Sequence, residues 1–215
     1  MSSYANLIKD AQKFYAALDQ NNTRDWWLEN KGTYDSDLKA PALALLDEMA
    51  PAIEKVAGCP VKPKLFRPHR DVRFSKDKTP YNTHLHMMWG MEAGAPQNPV
   101  FFFGIGLDYV TAGAGLMGFD KPVLENWRRF VDLDTDRVTG IVEELKSKGY
   151  GFREPALKRI PSPFDKDHPA GDLLRMKGIV TSRDLGKPKD LPAALKDAFA
   201  DLAPLNALLV QVAEA

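Results

Sequence analysis

The run RDVRFSKDKTPYNTH, residues 70–84, sets Arg70, Arg73, Lys76 and Lys78 around two acids, Asp71 and Asp77, and ends in a proline, a tyrosine and a histidine. An arginine offers a planar fork that grips carboxylate or phosphate through two hydrogen bonds, and a lysine supplies a mobile point charge. The mixture suits an oxyanion of two or three oxygens. Ser75, Thr79 and Tyr81 add hydroxyls, Arg67 lies just upstream, and a turn from Ser75 to Pro80 can aim backbone N–H groups inward as an anion nest. The same charges can equally form a structural network in which Asp71 and Asp77 hold Arg70 and Arg73 and fix the loop. The glycines of a phosphate-binding P-loop are missing, which argues against nucleoside-triphosphatase chemistry of that type.

Histidine offers a second chemistry. His84 and His86 project to one side of a predicted strand, and His69, Asp165 or His168 could complete a three-ligand metal site. No Glu or Asp stands at ligand spacing beside the pair, so neither metal nor cofactor is expected, and a histidine held by a carboxylate or carbonyl is the simpler reading. His168, in FDKDHP, has Asp165 and Asp167 near enough to orient it as a general base, although Asp, His and Pro together also make an ordinary turn. His168 and His84 are therefore the catalytic candidates. In GAGLMG, Gly113, Gly115 and Gly118 spell a dinucleotide-binding pattern after a strand. Asp120 and Pro122 place the next helix beyond those glycines, whereas the fingerprint needs the helix to open inside them. Glycines that let neighbouring backbone approach closely explain the run better. Cys59, between Gly58 and Pro60, has no neighbouring base and reads as inert.

Formal net charge is zero, with 29 basic and 29 acidic residues, but the cations are not spread evenly. Residues 62–78 carry seven cations and two anions, and residues 150–190 carry nine and six. If the two islands meet, they focus positive potential on one face, with Lys158 and Arg159 closing a cleft opened by Arg67, Arg70, Arg73, Ser75, Lys76, Lys78 and Tyr81. An anionic small molecule fits such a cleft better than nucleic acid, because the clustered aromatics near it, such as Phe101 to Phe103, are spaced as a buried sheet. A lone cysteine points to a reducing, cytoplasmic setting. The first residues lack the apolar run of a signal peptide, and no stretch approaches the ~18 apolar residues of a membrane span.

These groups must be placed by their elements. Apolar stripes of three- and four-residue spacing predict helices through Leu7 to Leu18, around Trp26 and Trp27 with Asn22 as cap, and from Leu38 to Val56 with stops or kinks at Pro41 and Pro51. From Val61 the period becomes two: Phe66, Val72 and Phe74 alternate with Arg67, His69, Asp71 and Arg73, as an edge strand would. A strand through Leu85, Met87 and Trp89 follows. VFFFGIGL, 100–107, is apolar on both parities and reads as a central strand covered on both faces. Further strands are predicted from Tyr109 towards Met117 and at 179–182, with helices after Asp120, through Val138 to Leu145, and from Pro192. Helices, then clustered strands, then helices predict an α+β fold: one domain over 1–215, with a mainly antiparallel sheet packed by N-terminal and C-terminal helices.

The blocks NNTRDWW (21–27), KLFRPHRDVRFSKDKTPYNTH (64–84), GAGL (113–116), LKRIPSPFDKDHP (157–169) and LLRMKGIVTSRDL (173–185) together resemble a mostly microbial family, the domain of unknown function numbered 2461. The similarity runs from about residue 5 to 213. It implies a single α+β domain and assigns no activity. The function expected from the residues is recognition of a phosphate- or carboxylate-bearing ligand by the Arg/Lys-rich loop. The alternatives are a hydrolase or transferase acting on an anionic substrate and a non-catalytic interaction module.

Overall fold

The structure, a computed structural model, describes Tyr4 and residues 6–215. Helix α1 (Leu7–Gln20) buries Leu7, Ala11, Phe14, Tyr15 and Leu18 along one stripe. Helix α2 (Arg24–Thr33) starts at Thr23, whose hydroxyl accepts from the Trp26 N–H. The cap is thus Thr23 rather than Asn22, because the Asn22 side chain is engaged across the molecule: its Oδ1 accepts from the Tyr81 N–H and its Nδ2 donates to the Tyr81 carbonyl. A π-helical stretch, Tyr34–Lys39, leads into α3 (Ala40–Ala57), which contains Pro51 and ends at Gly58 in the left-handed conformation.

Six strands form one antiparallel sheet: β1 (Val61–Leu65), β2 (Leu85–Met91), β3 (Val100–Ile105), β4 (Val110–Leu116), β5 (Gly151–Phe152) and β6 (Ile179–Asp184). Their spatial order is β1-β2-β3-β4-β6-β5. Between β4 and β6 the chain forms α4 (Lys121–Leu133), α5 (Thr135–Ser147) and the single turn α6 (Gly171–Leu174), and it closes with α7 (Leu191–Glu214). Asp190 caps α7 by accepting from the Ala193 N–H. The α+β class, the single core and the flanking helices agree with the sequence reading.

Two strand expectations are corrected. The edge strand stops at Leu65: residues 66–84 are mostly loop, tied by an isolated bridge between His69 and Tyr81, and Phe74 is 95% exposed. Alternation there came from the solvation of charged side chains and not from pairing. The central strand β3 is covered on one face only. Phe101, Phe103 and Ile105 are fully buried towards the helices, where Phe101 meets Phe199 of α7, while Phe102 points to the other side. In β2 the same division sends Leu85, Met87, Trp89 and Met91 inward, with the Trp89 indole donating to the Leu46 carbonyl of α3. Among the described residues no helix covers the opposite face of the sheet, where β2 to β6 form an open trough.

Candidate functional site

The expected cationic cleft does not assemble around the 70–78 loop. Arg70 donates to Asp77 at 2.5 Å and to the carbonyl and hydroxyl of Thr79. Arg73 is clasped by both oxygens of Asp71, at 2.9 Å from Nε and 2.6 Å from Nη2, while remaining 76% exposed over the Phe74 ring. Lys78 donates to the Val72 carbonyl, and the Ser75 N–H closes a turn onto the same oxygen. Hydrogen bonds from Thr79 and Arg70 hold the Asp77 carboxyl down at about 2, and Arg73 lowers Asp71. Arg67 and Lys76 are exposed, with Arg67 contributing to the field at Asp71. Tyr81 is no ligand group: it is buried, stacked on Trp27 at 4.4 Å, and its backbone is held by Asn22. The loop's charge is thus largely spent within the loop, and its cations line neither the groove beside α5 nor the trough on the sheet.

The strands of the two basic islands are not neighbours either. β1 and β5 are the two margins of the sheet, so residues 62–65 and 151–152 are separated by its full width, about 24 Å at 4.8 Å per strand step.

The second island does form a groove. Between α5, α6 and the 156–170 loop lies a cleft of about 770 Å³. Its walls carry the cations Lys146, Lys158, Arg159, Lys166 and Arg175 and the acids Glu143 and Asp172. Lys146 pairs with Glu143, and Arg175 with Asp172; Arg175 also donates to the Leu157 carbonyl, which anchors the loop to α6. Gly171 lets the loop close in, since a Cβ there would lie 2.6 Å from Ile160. Lys158 and Arg159 are exposed and form no ion pair with any described residue.

His168 lines this groove but is not oriented by Asp165 or Asp167. Its Nδ1 accepts from the Ala170 N–H at 3.0 Å, and its Nε2 faces Asp132 of α4 at 3.4 Å, with only 9% of the side chain exposed. Both nitrogens are thus engaged within the fold. Asp165 instead accepts from the Asp167 N–H in a local turn. Asp132 was missed by sequence reasoning because it comes from another helix and no local pattern marks it.

His84 and His86 stack, with ring centroids 3.6 Å apart at 18°. Neither is bound to a carboxylate: His86 Nε2 lies 2.7 Å from the Tyr109 hydroxyl. Burial, reinforced by His84, pushes His86 down to about 4, burial alone lowers His84, and burial raises Tyr109. The arrangement is a neutral hydrogen-bonded pair beside a second neutral ring. Gly104 and Gly106 make room for it, because a Cβ at Gly104 would lie 2.9 Å from His86 and one at Gly106 only 2.1 Å from the Tyr109 ring. These glycines were the signal in the sequence that could have found Tyr109. His69 is elsewhere, packed against Trp27 and Tyr81, and no three His, Cys, Asp or Glu side chains among the described residues converge to hold a metal ion. The glycines of GAGLMG lie in and after β4: a Cβ at Gly113 would lie 2.6 Å from the Thr181 carbonyl, and Gly115 has φ +126° with the Ile179 carbonyl where a Cβ would go. They set a close strand pairing and hold no helix N-terminus to a cofactor.

No helix among the described residues is long and apolar enough to cross a membrane. A comparison with curated proteins finds no match. The model of the conserved hypothetical protein family DUF2461 matches residues 10–207, which takes in the 70–84 loop, the sheet and the basic groove, and the chain belongs to that family.

Proposed function

We propose that the protein recognises a small anionic molecule, and that it does so in the groove of the second basic island, with Lys158 and Arg159 as the principal contacts. One observation carries this: five cations and two acids wall a cleft of about 770 Å³, and two of those cations, Lys158 and Arg159, lack the carboxylate partners that occupy Arg70 and Arg73. A cation without an internal partner is available to an incoming oxyanion without first breaking a bond. Arg159 can take two oxygens at once and Lys158 and Lys166 can adjust to a third, which suits phosphate or a multiple carboxylate. Glu143 and Asp172 line the groove, Asp132 faces its His168 and Asp167 pairs with its Lys166, so its positive field is local and favours a compact ligand over an extended nucleic-acid backbone. With both nitrogens of His168 engaged, recognition is better supported than proton transfer by that residue. A cytoplasmic location belongs to the same proposal, on the strength of the single Cys59.

The test is a calorimetric and thermal-shift titration of the purified chain with inorganic pyrophosphate and with citrate. At 100 times its dissociation constant a ligand adds about 2.7 kcal/mol of stability. The double variant Lys158→Ala/Arg159→Ala is expected to lose this stabilisation while keeping the melting temperature of the free protein. Arg73→Ala is expected to bind as the parent does. Loss of binding in Arg73→Ala with retention in the double variant would return the site to the loop.

A further inference from the structure

Half of an antiparallel sheet is normally left to solvent and carries polar side chains. Here the helix-free face is largely apolar between β2 and β6, with Lys62 and Lys64 of β1 at its margin. Register places Met88, Val100, Phe102 and Val180 on it, and Phe66, just past the end of β1, lines the same trough. Gly113 and Gly115 sit opposite Phe102 and Val100 and leave the floor bare between those side chains and β6, so the face is hollowed and not flat. The result is a trough of about 700 Å³. Small-molecule sites occupy roughly 300–1,000 Å³ and combine apolar walls with a few polar groups.

The polar groups at its ends define the occupant. At the β2 end the His86 imidazole, already bonded to Tyr109, presents a neutral ring against Phe102 at 5.0 Å. At the β5 end stands Arg153, exposed and in no ion pair with any described residue. The Thr111 hydroxyl donates to the Arg183 carbonyl and is spoken for. Among the described residues Arg153 is the one charged side chain lining the trough, and it is positive; Lys64, 5.2 Å from the Phe66 ring, stands beyond the opposite end.

We propose that this open face is a second binding site, separate from the basic groove, that takes an apolar carboxylic acid with its hydrocarbon body laid across the strands and its carboxylate met by Arg153. β2 and β5 are four strand steps apart, about 19 Å, which accommodates an acyl chain or a pair of fused rings. The anion here is a single head group on a hydrophobic body, unlike the compact polyanion of the groove.

Isothermal titration of the full chain with dodecanoate, and in parallel with 1-dodecanol, tests the assignment. Dodecanoate is expected to bind one per chain. Val180→Trp, which fills the trough, is expected to abolish binding of both compounds with the melting transition retained. Arg153→Gln, at an exposed position, is expected to weaken dodecanoate about tenfold and leave dodecanol unchanged. Lys158→Ala/Arg159→Ala is expected to leave both unchanged, which separates this site from the groove. Absence of dodecanoate binding to the parent chain overturns the proposal, as does a fall of equal size for acid and alcohol in Arg153→Gln. Light scattering that shows a dimer whose formation dodecanoate does not disturb and Val180→Trp abolishes would assign the face to a second copy instead.

Discussion

His86 shows how burial changes what one side chain contributes. In the unfolded chain its imidazole titrates near 6.5, whereas in the folded protein it is pushed down to about 4. The unfolded state therefore binds the proton more readily. The native state keeps its full advantage above pH 6.5, loses it as pH falls from 6.5 towards 4, and gains no further penalty below that. His84 shifts the same way, and Tyr109, Phe66 and Phe102 are the other groups around the ring, none of them a compensating anion. Allowing for partial solvent screening, the loss across that window amounts to about 2 kcal/mol. Urea midpoints measured from pH 7 to 4 are expected to fall accordingly, and His86→Gln is expected to flatten the curve. The cations of the 70–84 loop behave differently. Their charges were readable in the sequence, as was the choice between ligand and internal carboxylate, but not its outcome. Which acid reaches which arginine depends on how the 66–84 loop is bent, and the bridge between His69 and Tyr81 that bends it is a tertiary pairing.

Elements whose signals are local were legible. The stripes of α1 and α3, the Gly58 stop, the Pro122 start of α4 and the strand 110–116 follow from spacing and backbone preference alone. The covering of β3 was not, because an apolar face that meets helices and one that lines a trough use the same residues. Phe101 and Phe102 are identical in type and opposite in environment. The cap of α2 was displaced by one residue for a similar reason: Asn22 was drawn to Tyr81, 59 positions away, and Thr23 took over. Thr23→Ala is expected to cost about 1 kcal/mol in chemical denaturation, the usual worth of a lost N-cap. Gly106→Ala is expected to cost about 1–3 kcal/mol, because the added methyl must displace the Tyr109 ring and with it the bond to His86. The loss of that bond is visible as a changed tyrosine signal in near-ultraviolet circular dichroism.

At the scale of the molecule, the order β1-β2-β3-β4-β6-β5 decides which charges can cooperate. It keeps the strands of two basic stretches that look like partners in the chain from adjoining, and it leaves each with its own neighbours: the loop with Asp71 and Asp77, the groove with α5 and α6. It also leaves one sheet surface without a helix, the origin of the trough. None of this is encoded in any single segment, since it depends on β6 inserting between β4 and β5.

The same order has a consequence for self-association. A sheet with two unpaired margins is a template on which foreign strands can polymerise, and both margins here are blunted. β1 carries Pro63, which lacks an amide proton, between Lys62 and Lys64, whose like charges repel a stacking copy. β5 is two residues long and offers too few amides to nucleate growth. Replacing Lys62, Pro63 and Lys64 together with threonine is expected to shorten the lag before fibril formation under agitation, followed by thioflavin fluorescence, while the parent chain stays dispersed.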